Sequence, residues 1–125
     1  MEENNNIKIF KICLVGETGV GKTCIINRFV KNEFNIDEIP TSAATYAQKN
    51  VQLDDGKITT FHIWETAGQE KYRSIAKIFY KNAKAAILVY EITSQKSFDA
   101  IKNYWYDQIK NNTSENINKF LLYLI

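Results

Sequence analysis

The sequence predicts an α/β domain: a mostly parallel sheet with one antiparallel hairpin edge strand. Two strand-like runs, "YAQKNVQL" and "KITTFHIW", flank Asp54-Asp55-Gly56, a strong hairpin signal. Apolar strand-like runs then alternate with helix-patterned ones, the order that builds parallel sheets. Between the first strand and the first helix stands a glycine-rich turn, Gly16 to Gly21, whose spacing matters below.

Taken in order, "IKIFKICLV" (Ile7 to Val15) is β-branched and apolar, bounded by Gly16, and reads as a strand buried on both faces. "GKTCIINRFVKN" reads as a helix, with Cys24, Ile25, Arg28 and Phe29 at helical spacing. Residues Glu33 to Thr45 are polar, hold the single proline (Pro40) and read as a surface loop. Within the hairpin, alternation puts Thr60, His62 and Trp64 on one face and Phe61 and Ile63 on the other, so Phe61 and Ile63 are expected in the core. His62, the one histidine, reads as a solvated strand residue rather than a catalyst. "KAAILVYEI" predicts another buried strand. "SFDAIKNYWYDQIKNN" predicts a helix with Phe98, Ile101, Trp105 and Ile109 on one packing stripe. "KFLLYLI" predicts a last buried strand.

Composition narrows the function classes. A chain of 125 residues is one domain at most. Its 45% hydrophobic and 24% charged residues are ordinary for a globular protein. A net charge of +2, with scattered lysines, argues against nucleic acid as a partner. Cys13 and Cys24 fit no metal or disulfide spacing and are expected to be buried thiols in a reducing compartment. The acidic, polar start "MEENNN" (residues 1–6) lacks a signal-peptide pattern and is expected to be disordered. No run approaches the ~20 apolar residues of a membrane helix. A cytoplasmic domain over residues 7–125 is expected.

Gly16-Glu17-Thr18-Gly19-Val20-Gly21-Lys22-Thr23 matches G-x-x-x-x-G-K-[ST], with a strand before it and a helix, opening through Cys24, after it. Such glycines let backbone N–H groups and the positive helix end wrap phosphates. Lys22 would reach the β- and γ-phosphates, and the Thr23 hydroxyl would ligate Mg²⁺. A glycine-rich turn with a chance lysine is the bland alternative, and the flanking strand and helix speak against it.

"WETAGQE" (Trp64 to Glu70) follows at the end of the hairpin, and here the chain resembles the Ras superfamily of small GTPases, specifically the Rab family. "TAGQEKY", "FHIW", "IFYKNAKAAILVYEIT" and "SFDAIKNYW" stand in the family's order and spacing. "PTSAATYAQKNVQLDDG" is most similar to the endosomal Rab branch. The resemblance covers Ile7 to about Ile117. It implies a GTP/GDP-binding P-loop switch in vesicle and endosomal traffic, with Mg²⁺-dependent hydrolysis. Rab effectors, exchange factors and activating proteins would be its partners. It also implies site residues. Gln69 orients the attacking water, Gly68 senses the γ-phosphate, Phe34 packs on guanine and Thr41 completes the Mg²⁺ shell. Tyr46, Trp64 and Phe79 would form an exposed effector-binding patch.

Departures from that pattern shape the expectation. Glu65 stands where the family has an aspartate that reaches Mg²⁺ through a water, and Ser42-Ala43 replaces Ile-Gly after Thr41. The guanine-reading Asn-Lys-x-Asp motif, which follows the fifth strand in the family, does not occur. Asn118-Lys119 precedes the strand, and Leu121 and Leu122 follow it. An incomplete G domain lacking the last strand and helix is therefore expected, with "FLLYLI" as an exposed edge and no prenylated membrane anchor encoded. Membrane association would belong to a full-length prenylated relative. The competing readings are a non-hydrolysing effector-binding module and a P-loop ATPase or kinase-like enzyme. The second is weakened because the fourth strand ends in Tyr90-Glu91 rather than an aspartate.

Overall fold

The computed structural model describes residues 8–17, 19–32, 45–65, 78–114 and 116–124. Its centre is β1 (Lys8–Val15), paired in parallel with β3 (Ile58–Glu65) on one side and β4 (Ala85–Glu91) on the other. β2 (Thr45–Gln52) adds antiparallel to β3, and β5 (Asn118–Leu124) adds parallel to β4, which gives the order β2-β3-β1-β4-β5. This is the mostly parallel sheet with a hairpin edge that the sequence predicts. The hairpin closes through Leu53 and Lys57, with Gly56 at φ 83°. Such a φ is open to glycine at no steric cost.

Side-chain alternation sends β1 into two cores. Cys13 and Val15 join Phe79, Tyr80, Leu88, Ile101, Trp105, Ile109 and Ile117 on one face of the sheet. Leu14 joins Val20, Ile26, Ile63 and Val89 on the other. The strand was expected to be buried on both faces throughout, but Lys8 and Ile9 are exposed because neither core extends that far. Ile63 is core as expected, and Phe61 is half-buried, edge-on to both Phe10 and Phe29.

Among the described residues, helices from two parts of the chain pack on the sheet. α1 (Lys22–Lys31) buries Ile26, whereas Cys24 is only half-buried, which corrects the expectation of two buried thiols. After β4 comes α2 (Gln95–Ala100), which passes through a π-helical turn (Ile101–Trp105) into α3 (Tyr106–Asn112). The helix starts two residues before the Ser97 the sequence suggested, because the Ser94 side chain accepts from the Ser97 N–H as its N-cap. Ser97 is itself buried, its hydroxyl donating to the Ser94 and Glu91 carbonyls while accepting from the Glu91 N–H. That ties the start of α2 to the end of β4.

The π turn has a packing reason. Ile101, Trp105 and Ile109 recur every four residues, and in an α-helix each such step overshoots a full turn by about 40°. A wider turn absorbs that drift, and all three side chains stay buried in one core. No helix among the described residues is long and apolar enough to cross a membrane.

β5 differs from the buried strand its composition suggests. It is held by β4 on one side, no described strand pairs on the other, and Phe120, Leu121 and Leu122 are exposed. The expectation of an apolar edge strand is the one that holds. Ile109 is fully buried whereas Ile78 is exposed. Ile109→Ala should therefore cost about 2–5 kcal/mol of unfolding free energy, and Ile78→Ala less than about 0.5 kcal/mol, read from urea unfolding midpoints at constant m.

Candidate functional site

The carboxyl end of β1 delivers the chain into its glycine-rich turn at a point with no spare room. A Cβ on Gly16 would stand 2.2 Å from the Val89 carbonyl oxygen of β4, far inside contact distance. Only glycine lets the turn run this close to the neighbouring strand. At the other end of the turn Gly21 is the N-cap of α1, with φ 102°, and it brings no side chain to cap the helix. Between them Val20 is buried in the core beneath the turn, so the loop is anchored from below.

Lys22 opens α1 but folds its side chain back over the loop. Its ammonium donates to the carbonyls of Gly16 and Glu17, both at 2.8 Å, and the residue is 3% exposed. Two of an ammonium's three donors are thus on the loop's own backbone, which fixes a positive charge inside the turn. One residue further on, the Thr23 hydroxyl donates to the Glu65 carboxylate, with Oγ1 at 3.0 Å from Oε1 and 2.9 Å from Oε2. Glu65 is the last residue of β3, held in register by Leu14 on one side and Thr45 on the other, and it is 2% exposed. A buried carboxylate is tolerated only with compensating hydrogen bonds or charges. Hydroxyl and carboxylate oxygens are hard donors, the kind that hard divalent cations prefer. Among the described residues no group of three or more His, Cys, Asp or Glu side chains could hold a metal. An ion here would draw its further ligands from water or phosphate, as Mg²⁺ commonly does.

Of the residues expected in the site, the structure thus brings together Gly16, Glu17, Val20, Gly21, Lys22, Thr23 and Glu65, with Gly19 exposed on the loop and Cys24 in the helix behind it. Thr18, Phe34, Thr41, Gly68 and Gln69 lie outside the described residues.

The expected aromatic patch is only partly a surface. Tyr46 is 45% exposed and stacks edge-on against Trp64 at 5.0 Å and His62 at 5.2 Å. Phe79 does not belong to that surface: it is 2% exposed, and its carbonyl accepts the Cys13 thiol. It is a core residue, packed with Trp105 and Ile109, and the expectation of an exposed Phe79 is corrected. In its place stands Lys11, whose ammonium lies 4.8 Å over the Trp64 ring and donates to the carbonyls of Ile78 and Lys81. Burial pulls the Lys11 pKa below that of an ordinary lysine, with Cys13 acting in the opposite direction. Lys11 faces His62 across the β1–β3 pairing, so strand register was the signal that could have found it.

A backbone cradle of this kind, at the carboxyl end of a central parallel strand, is the mark of α/β proteins that bind nucleotide phosphates. The model of the Ras family matches residues 11–123, and the chain belongs to that family. It is 40% identical to the Ras-related protein RABA1b of Arabidopsis thaliana over 109 residues, 87% of this chain and 50% of that protein. To the Ras-related protein Rab-13 of Rattus norvegicus it is 41% identical over 114 residues, 91% of this chain and 55% of that protein. Human Ras-related protein Rab-8B gives 41% identity over 114 residues, 91% of this chain and 54% of that protein. The chain spans about half the length of the curated relatives it matches.

The packing at Gly16 makes a prediction. Gly16→Ala places a methyl group against a backbone carbonyl with φ at 150°, and should destabilise the chain by about 1–3 kcal/mol or more. Gly19→Ala meets open space around its Cβ and carries only the conformational strain of φ 84°. Thermal unfolding of the two variants side by side reads the difference.

Proposed function

We propose that the chain binds GTP and GDP together with Mg²⁺ and serves as a Rab-type molecular switch in vesicle and endosomal membrane traffic. The observation that carries this reading is the convergence, on a Ras-family sheet, of the Gly16–Gly21 turn, the Lys22 ammonium and the Thr23–Glu65 pair. Exchange factors, activating proteins and effectors of Rab type are the partners this reading implies, acting at cytoplasmic membrane surfaces.

Each residue then has a task. The turn offers backbone N–H groups to the phosphates, and Gly16 keeps it pressed against β4 so that the cradle holds its shape. Lys22 holds positive charge where the β- and γ-phosphates would lie. Thr23 and Glu65, joined by a part-buried hydrogen bond, would hold Mg²⁺. When bound, Mg²⁺ would supply positive charge against that of the phosphates. Thr41 adds a ligand in the triphosphate state, Gly68 registers the γ-phosphate, Phe34 covers the base and Gln69 orients the attacking water, as the family resemblance assigns them. Tyr46 and Trp64 receive the effector.

A second reading, an effector-binding module that does not hydrolyse nucleotide, is favoured by one observation: Tyr46, His62 and Trp64 form an aromatic cluster at the sheet edge, outside the glycine-rich turn. Effector capture that is the same with GTP, with GDP and with neither would select it.

The 125-residue polypeptide contains no Asn-Lys-x-Asp to accept hydrogen bonds from guanine. Such charge-assisted bonds contribute about 1.5–3 kcal/mol each. Calorimetric titration of this polypeptide should therefore show weak, Mg²⁺-dependent binding of GTP and ATP with similar affinity. Tight guanine-selective binding would contradict that expectation. Lys22→Ala should weaken either nucleotide by about ten- to a hundredfold, the equivalent of one charge-assisted contact. No binding of any nucleoside triphosphate would overturn the reading as a whole.

A further inference from the structure

We propose that the recess beneath the amino ends of β4 and β5 is a second binding site, one that takes a phosphorylated polyol. It is separate from the glycine-rich turn and does not rest on the nucleotide reading. Gly16 lies against Val89, five residues further along the chain than Lys84 at the recess, so the two sites stand roughly 16 Å apart along the sheet.

Shape, charge and hydrogen-bonding capacity carry it. The recess holds about 530 Å³, within the ~300–1,000 Å³ typical of small-molecule sites. Lys81 to Lys84, entering β4, form one wall, and residues between Asn112 and Ile117, entering β5, form the other. The walls are tied together where the Asn118 N–H donates to the Lys84 carbonyl. Tyr80, Ala83 and Ile117, all members of the core on that face of the sheet, supply a fixed apolar lining. Lys81 and Lys84 are both exposed, and among the described residues neither ammonium has a hydrogen-bond or ion-pair partner. No described carboxylate lines the recess. Two uncompensated positive charges on one cavity attract an anion. The opposite wall is neutral and asks for something more. The Thr113 hydroxyl has given its proton to the Ile109 carbonyl, and the Asn112 amide has given one of its own to Gln108. Their side-chain oxygens remain as acceptors, which an acceptor-only anion cannot use. A ligand with a phosphate for the lysines and hydroxyl groups for the neutral wall satisfies both, and its carbon skeleton suits the apolar lining.

The probe is glucose 6-phosphate, titrated into the full chain and followed through the backbone amide resonances. The expected result is saturable shifts at Lys81 to Lys84 and around Asn112 to Ile117 that persist in Lys22→Ala. The double variant Lys81→Gln with Lys84→Gln, whose side chains are exposed and leave the core untouched, should bind at least about tenfold more weakly. Glucose and sulfate, which carry the hydroxyl groups or the charge alone, should each also bind at least about tenfold more weakly; equal binding of either would overturn the ligand class. Shifts abolished by Lys22→Ala, or binding indifferent to the double variant, would overturn the site. The same chemistry occurs in free metabolites and in a lipid headgroup. Co-sedimentation with phosphatidylcholine vesicles that contain phosphatidylinositol, lost in the double variant, would support the site and assign its ligand to a membrane. Binding of glucose 6-phosphate without such co-sedimentation would support it and assign a soluble ligand. No response to either probe would overturn the proposal.

Discussion

The chain leaves β1 at Gly16 against the carbonyl of Val89, where not one further carbon would fit. Much of the site's layout follows from that contact. Because the backbone passes so close to β4, the turn stays low over the sheet, with Val20 packed into the core beneath it. Because the turn is low and short, α1 begins beside the ends of β1 and β3, and its first two residues face opposite tasks. Lys22 reaches back to the loop carbonyls and Thr23 reaches across to Glu65. A bulge at Gly16 would displace both at once, so a packing constraint between two strands becomes a constraint on charge placement.

Parallel pairing gives the same constraint its direction. β1, β3 and β4 all run the same way, so Val15, Glu65 and Glu91 lie at one end of the sheet. Groups that meet at this end of the sheet therefore come from elements far apart in sequence; Thr23 of α1 and Glu65 of β3 are separated by 42 positions. The antiparallel β2 does different work. It brings Tyr46 opposite Trp64 and Gln48 opposite His62, assembling an aromatic surface at the sheet edge near the site end. The glycine-rich turn and the aromatic surface are thus joined through a single strand, β3, which carries Glu65 and Trp64 side by side.

What could be read in the sequence was whatever depends on local chemistry. The hairpin needed only Asp54-Asp55-Gly56 between two alternating runs, and the cradle only its glycines, Lys22 and Thr23 between strand and helix. The stripe of Ile101, Trp105 and Ile109 was legible too, although the π turn that keeps it in line was not, since its cause is the core it packs into. Phe79 was misread because its environment comes from elsewhere: it shares a core cluster with Cys13 and Trp105, and neither is near in sequence. β5 misled in the other direction. An apolar run looks buried by composition, but burial needs a neighbour on each side, and here the described sheet supplies β4 alone. Direct contact between Thr23 and Glu65 was equally hidden. The sequence shows a glutamate at the end of the hairpin's second strand, but not which way its side chain points.

The position of that carboxylate sets the electrostatics of the site as well as its geometry. On the proposed function, a buried carboxylate beside the glycine-rich turn opposes the phosphate anion. At about 4 Å and an effective dielectric of about 20, two like unit charges repel by roughly 4 kcal/mol. Lys22 cannot cancel both charges, since its ammonium is a single one and is already committed to the loop carbonyls. In the proposed reading a divalent cation resolves the conflict, because its two charges answer the carboxylate and a phosphate oxygen together. In that reading, placing Glu65 against Thr23 makes phosphate binding conditional on the ion. On the proposed function, the same pair that would hold the metal also penalises nucleotide arriving without it.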